Sequence, residues 1–354
     1  MVTIDGYELP ARWLRDHGDD AGSVHPQTLQ REVDTFAIPR DVAAVSVENA
    51  GETLTIGWSD GATTGHDLAA LLAVVRSPRT PGPSPGSFRL DSGAELWSTR
   101  PVVTTFPAPV IEDDRAWTDA LGHLRRFGWV RFDGAPLGDA AVRRLAGRIG
   151  GIRTTLFGDV WRMAPGDVEH QDSAYAPVAL DVHTDGTYLD DCPGTIVFAQ
   201  QERDGAGGNS ILVDGFAVAR DLVEREPTAA ELLARYDIGG RYLEPGVSVH
   251  ADRPPLRVDA QGVLRQVSFN NYDRAPVLPA HGWVDEVIDA YAAFRALATE
   301  PARALELTWA PGELLLIDNW RVLHGRTHYT GNRVFLGCYT GHEELESAYR
   351  RAGL

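Results

Sequence analysis

The sequence is short of cysteine and of basic side chains. Its two cysteines, Cys192 and Cys338, fall in stretches that read as separate strands or loops. That excludes a disulfide-stapled secreted fold and makes a reducing cytoplasm the expected location. Against 50 acidic residues there are 33 basic ones, a formal net charge of −17, with no basic stripe to neutralise phosphates. Nucleic acid is therefore not an expected partner. No apolar run reaches the length of a membrane span, so no membrane partner is expected either. The opening MVTIDGYELPARWLRDHGDD has neither the apolar centre of a signal peptide nor the Arg-rich, acid-poor character of a transit peptide. What the chain does have is length and apolar content: 354 residues, 43% of them hydrophobic. That is enough to bury a core without disulfides or structural metals.

Along the chain, residues 1–76 read as a small antiparallel β module. Val45-Ser46-Val47 and Thr53 to Trp58 alternate in strand fashion, Asp60-Gly61 forms a turn between strands, and Asp67 to Val75 carries a short helical pattern. Residues 77–87, SPRTPGPSPGS, suit no regular element and mark a linker. In residues 88–354 the pattern predicts helices over Ala116–Phe127, Asp139–Ile149, Ala217–Glu226 and Trp283–Ala298. Short strands are expected over Gly128–Phe132, Gly194–Gln200, Ser210–Val213, Glu313–Ile317 and Val334–Tyr339. Many short strands with helices at the flanks make the expected fold mainly β, α+β, on a sandwich or barrel scaffold.

The chemistry concentrates around His183-Thr184-Asp185. Two ligand-capable side chains two residues apart project to the same side of an extended strand or its edge. A second histidine, His324, follows the apolar strand ending at Ile317. Two imidazoles and one carboxylate on one face of an octahedron leave three positions open, the arrangement used by non-haem Fe(II) oxygenases. Alone, a His-x-Asp tripeptide also fits a surface pair or a satisfied core residue.

Four blocks in order carry a resemblance. They are Ala179 to Tyr188 (ALDVHTDGTY), Gly208 to Phe216 (GNSILVDGF), Asn270 to Arg274 (NNYDR) and Ile317 to Arg326 (IDNWRVLHGR). With Trp13-Leu14-Arg15-Asp16-His17 near the start, the chain resembles the γ-butyrobetaine and trimethyllysine dioxygenases of the TauD/clavaminate-synthase-like superfamily. It is most similar to the trimethyllysine branch. The resemblance implies a distorted double-stranded β-helix (jelly roll) in the catalytic domain and Fe(II) held by His183, Asp185 and His324. It also implies 2-oxoglutarate and O2 as co-substrates. Arg333 and Ser210 stand where the family binds the far carboxylate of 2-oxoglutarate; on residue logic alone they also fit a structural salt bridge and a turn cap. Asp185 favours hydroxylation, since related halogenases carry a small residue there.

The same resemblance puts Phe157, Trp161 and Tyr175 around a trimethylammonium group, a cation–π cage for a charge that cannot donate hydrogen bonds. Asp172 matches the acidic position of the trimethyllysine branch. Asn270 or Asn271 would meet the polar end of the substrate, and Tyr339 would close the pocket. Composition alone also allows these aromatics to be ordinary core. Phe157 replaces the usual Tyr of relatives, and Gly186 replaces a larger side chain, which points toward a re-tuned pocket. Relatives often hold structural zinc near the N-terminus through cysteines and a histidine; WLRDHGDDAGSVHPQ has no cysteine, so no structural zinc is expected. His66 is left near the histidine position, and His17 and His25 read as surface or capping residues. The expected function is hydroxylation of a small cationic amino acid or quaternary amine by a homodimer. The alternatives are a γ-butyrobetaine-type hydroxylase, a hydroxylase of another amino acid in a biosynthetic pathway, and a non-catalytic β-barrel binding protein. The last is disfavoured because a binding module has no need of His183, Asp185, His324 and Arg333 together.

Overall fold

Two β-sheets with alternating apolar faces organise the larger part of the computed structural model, which describes residues 1–26, 28–76, 89, 93–166, 176–277 and 283–354. The larger sheet has six strands in the order Thr105–Pro107, Trp129–Asp133, Leu314–Asp318, Thr195–Asp204, Asn332–Thr340 and Trp161–Met163. The smaller has four: Leu305–Leu307, Ser210–Asp214, Val322–Arg326 and Leu180–His183. The expected linker, 77–87, lies outside the described residues, as do Asp172 and Tyr175.

Residue alternation assigns each face. Ile196, Leu315, Ile317 and Phe335 of the large sheet meet Leu212, Leu305, Leu307 and Val322 of the small one in a shared apolar layer. Their sequence neighbours Val197, Ala199, Leu314, Leu316 and Cys338 point the other way, onto the helices Asp114–Phe127, Asp139–Ile149 and His342–Arg351. Both faces are thus buried by a strand period of two. Trp117, Leu121 and Leu124, then Val142, Leu145 and Ile149, supply the helical stripes. Gly128 stops the first helix in the left-handed region, φ +81, and the chain turns at once into Trp129–Asp133. On the outer face of the small sheet, Val213 and Leu323 pack under the helices Gly215–Arg225, Pro227–Arg235 and Val284–Ala298.

The N-terminal segment folds as a three-stranded antiparallel sheet, Ala44–Asn49, Thr53–Trp58 and Thr63–Asp67, followed by the helix Leu68–Val75 with Asp67 as its N-cap. Its core continues into Val284 and Ile288, so it docks on the helix Val284–Ala298. Behind that contact lies a buried ionic knot, in which the Asp16 carboxylate pairs with Arg31 at 3.2 Å and with Arg274. His17 is not at the surface. It is buried, with its ring stacked on Trp13 at 4.6 Å, because the apolar Trp13-Leu14 pair pulls the short helix Ala11–Asp16 inward. His25 sits half-buried in a tight turn and accepts from Thr28 N at 3.4 Å. His66 is buried too, with Nε2 at 2.9 Å from Thr64 Oγ1. Both cysteines are buried and free.

Candidate active site

The strand ladders deliver the two imidazoles. His324 pairs in register with His183 across two adjacent strands of the small sheet, and their ring centroids are 4.6 Å apart. His324 follows Val322 on the sheet's inner face by the alternation that sends Leu323 outward. The Leu180–His183 strand ends at His183, so Asp185 reaches the same point from the turn beyond it rather than along the pleat. Gly186, at φ +71, makes that turn possible; a Cβ there would lie 2.5 Å from Pro193 Cδ.

Asp185 Oδ1 then stands 3.5 Å from His183 Nε2 and 3.4 Å from His324 Nε2. Its other oxygen accepts a hydrogen bond from the Tyr339 hydroxyl at 2.9 Å. All three ligand atoms lie within 4.8 Å of one another, and among the described residues this is the one group of three or more His, Cys, Asp or Glu so placed. His183 Nδ1 sits 2.7 Å from Asp181 O; a proton on that nitrogen leaves the Nε2 lone pair for a metal. Burial opposes the Asp185 charge, yet the His324 and His183 rings outweigh it and hold the carboxyl well below the usual range. Burial likewise favours the neutral form of His324. Burial does the same at His183, but there the hydrogen bond and charge of Asp185 prevail and raise it. A carboxylate with two imidazole Nε2 atoms converging on it is the donor set that Fe(II) takes, so the residues fit the metal that the resemblance implies.

These atoms line a cavity of ≈ 120 Å³ between the two sheets, with Arg333 and Ser210 also on its wall. Arg333 is 93% buried by its 7% exposure, and burial, reinforced by the Arg326 and Arg203 charges, lowers it to about 9. Its Nε donates to Gly208 O at 3.1 Å, and its guanidinium lies over Phe335 at 4.1 Å. Crowded positive charge of this kind favours an incoming carboxylate. Ser210 Oγ accepts from Trp309 Nε1 at 2.9 Å, which leaves its own O–H free to donate.

Of the proposed substrate residues, Phe157, Trp161, Tyr339 and Asn270 line the cavity. Trp161 packs against Phe198 at 5.5 Å and Tyr339 at 5.9 Å. Asn271 is not brought in: it borders a separate hollow beside Arg31 and accepts from Arg274 Nε at 3.2 Å. The cavity also takes in Tyr188, Phe198, Tyr272, Asp273, Arg326 and, from the N-terminal module, Gln30. Alternation along the strand Thr195–Asp204 points Phe198 the same way as Ile196, a signal present in the sequence. Gln30 has no such signal, because a loop from the other module places it, donating to Asp273 Oδ1 at 3.0 Å.

Comparison with known proteins agrees with this geometry. Residues 91–339 match the Taurine catabolism dioxygenase TauD, TfdA family, and residues 4–71 match the Gamma-butyrobetaine hydroxylase-like, N-terminal family. The chain is 31% identical to the mitochondrial trimethyllysine dioxygenase of Homo sapiens over 355 residues, which covers 97% of this chain and 82% of that protein. It is 31% identical to trimethyllysine dioxygenase of Neurospora crassa, covering 97% and 80%. With the gamma-butyrobetaine dioxygenase of a Pseudomonas species it shares 29%, covering 95% and 88%. A solved asparagine oxygenase in complex with Fe(II), a hydroxyasparagine and succinate superposes with TM-score 0.51 at 15% identity, covering 66% of this chain and 82% of that one, a likeness of fold. Among the described residues no helix is long and apolar enough to cross a membrane. With a family model spanning most of its length and relatives aligned nearly end to end, the chain belongs to the TauD, TfdA dioxygenase family.

Proposed function

We propose that the protein is an Fe(II)- and 2-oxoglutarate-dependent dioxygenase that hydroxylates a small cationic amino acid or quaternary amine, a class that includes the trimethyllysine named in its dioxygenase relatives. The observation that carries this reading is one cavity holding the converging His183, Asp185 and His324 atoms, the crowded Arg333 guanidinium and an aromatic wall. On this reading the two facing sheets form the walls of a distorted double-stranded β-helix in the 88–354 part of the chain, with residues 1–76 as a β module docked against it. The homodimer and the cytoplasmic location are carried by the resemblance and by cysteine usage.

His183, Asp185 and His324 would hold Fe(II), and Arg333 with Ser210 would take the far carboxylate of 2-oxoglutarate. When bound, iron and 2-oxoglutarate supply the oxidising chemistry: O2 is consumed, 2-oxoglutarate becomes succinate and CO2, and one oxygen atom enters a C–H bond of the substrate. The side chains set what is presented to that chemistry. Phe157, Trp161 and Tyr339 supply the rings that would meet a cation, while Asn270, its amide donating to Asp273 Oδ2 at 2.7 Å and accepting from Tyr272 N at 2.9 Å, would meet a polar end with its remaining N–H.

The reading is tested by adding iron-loaded protein to 2-oxoglutarate with trimethyllysine, γ-butyrobetaine, lysine or arginine. Succinate and a product heavier by one oxygen atom are followed. Substrate-stimulated succinate with a matching product is expected for a cationic amino acid. No stimulation by any cationic amine would overturn the substrate class, and turnover retained by His183→Ala would overturn the iron site.

A further inference from the structure

His183 and His324 are fixed by a sheet ladder, but Asp185 lies past the end of its strand, and its backbone groups need other partners. One side chain supplies both. Asn319 Oδ1 accepts from Asp185 N at 2.9 Å, and Asn319 Nδ2 donates to Asp185 O at 3.0 Å. The same Nδ2 donates to Pro193 O at 2.9 Å, and the Asn319 backbone N–H donates to Gly194 O at 2.9 Å. Asn319 therefore grips the 185–193 loop at both ends, and that loop places Gly186 and Tyr188 on the cavity wall. Asn319 is itself 1% exposed and sits in the turn between Leu314–Asp318 and Val322–Arg326, the strand that carries His324.

From this arrangement we infer that Asn319 is the positioning residue of the metal site, setting the Asp185 carboxylate against the two imidazoles; the inference rests on the iron reading above. A primary amide is the group the position requires, since it offers one acceptor and two donor hydrogens in a plane, as a neighbouring strand would. Aspartate keeps the acceptor and loses both donors. Alanine loses all three bonds. Alanine thus releases the Asp185 peptide, and aspartate sets a carboxylate oxygen against the Asp185 and Pro193 carbonyls, so in either case the Asp185 side chain no longer meets His183 and His324 without cost.

The test compares full-length wild type, Asn319→Asp and Asn319→Ala by anaerobic Fe(II) titration, the visible spectrum of the Co(II)-substituted protein, and thermal melting. Thr64→Val serves as a control, because it removes a buried hydrogen bond from Trp58 Nε1, 2.9 Å, in the N-terminal module. The expected result is an Fe(II) affinity lower by about 10- to 100-fold in both Asn319 variants, with altered Co(II) bands. The control should melt earlier but bind metal as wild type does. Asn319→Asp is nearly isosteric and keeps a folded comparison available if Asn319→Ala does not fold. If folded Asn319→Asp binds Fe(II) as tightly as wild type with an unchanged Co(II) spectrum, the positioning role is wrong and the iron reading stands. If wild type itself binds no Fe(II), both fall together.

Discussion

Replacing Tyr339 by Phe removes one oxygen atom and keeps the ring, so it tests the hydroxyl's contact with the proposed metal site. The hydroxyl donates to Asp185 Oδ2 at 2.9 Å while Oδ1 faces both imidazoles. It would thus hold one carboxylate oxygen back and leave the other, beside the two imidazoles, for a bound metal. A hydrogen bond to a charged acceptor contributes about 1.5–3 kcal/mol. A water molecule entering the ≈ 120 Å³ cavity would recover part of that, which puts the net loss at the lower end. A loss of about 1.4 kcal/mol is a tenfold weaker Fe(II) Kd. The assay is anaerobic calorimetry of Fe(II), or of redox-inert Mn(II), binding to Tyr339→Phe with and without 2-oxoglutarate. Because the ring remains against Trp161 at 5.9 Å, affinity for a quaternary ammonium ligand should change far less than metal affinity. Metal binding indistinguishable from wild type would refute the reasoning. A larger loss for the cationic ligand than for the metal would assign the hydroxyl to substrate instead.

Two further substitutions test other parts of the fold. Burial raises the Asp318 carboxyl to about 7 despite the nearby Arg321 charge. The folded state then binds this proton more tightly than the unfolded chain, and its contribution to stability declines as pH rises from 3.8 through about 7. Asp318→Asn keeps an acceptor for Trp320 N, at 3.0 Å, and should raise the Tm at pH 8 with little change near pH 4; equal shifts at both would contradict the assignment. Burial opposes the Asp16 charge, but Arg274 and Arg31 outweigh it and hold this carboxyl well below its ordinary range. The stabilisation is therefore present at neutral pH and lost on strong acidification. Asp16→Asn leaves two buried guanidiniums short of their counter-charge and should cost about 3–5 kcal/mol, with faster hydrogen exchange in residues 1–76. Unchanged exchange there would mean that the knot does not anchor the module.

The elements legible in the sequence were those whose periodicity coincides with burial. The helix Asp139–Ile149 was expected with the bounds observed, because Val142, Leu145, Ala146 and Ile149 mark its buried stripe. The strands around 195–200 and 314–317 were readable as apolar runs buried on both faces. The helix Pro227–Arg235 and the hairpin Ile238–Glu244 with Val247–Arg253 were missed. The helix begins at a proline and directly follows another helix, and much of the hairpin is partly exposed and lacks clean alternation. At the site, His183 and Asp185 were paired by an argument from strand spacing, whereas the turn at Gly186 and the Asn319 amide bring them together. Asn319 lay inside a block quoted for its resemblance, yet nothing in a linear pattern shows that its amide reaches back to residue 185. His17 looked polar enough for the surface; stacking on Trp13 and proximity to the Asp16 knot explain its burial.

Gln30 reaches Asp273 across 243 residues of chain. Contacts of such sequence separation close late, because the ordering of the intervening segments must come first. A refolding chain would therefore recover its local strands and helices before Gln30 closes on the cavity wall, and with it the comparably distant bond from Trp13 Nε1 to Val277 O.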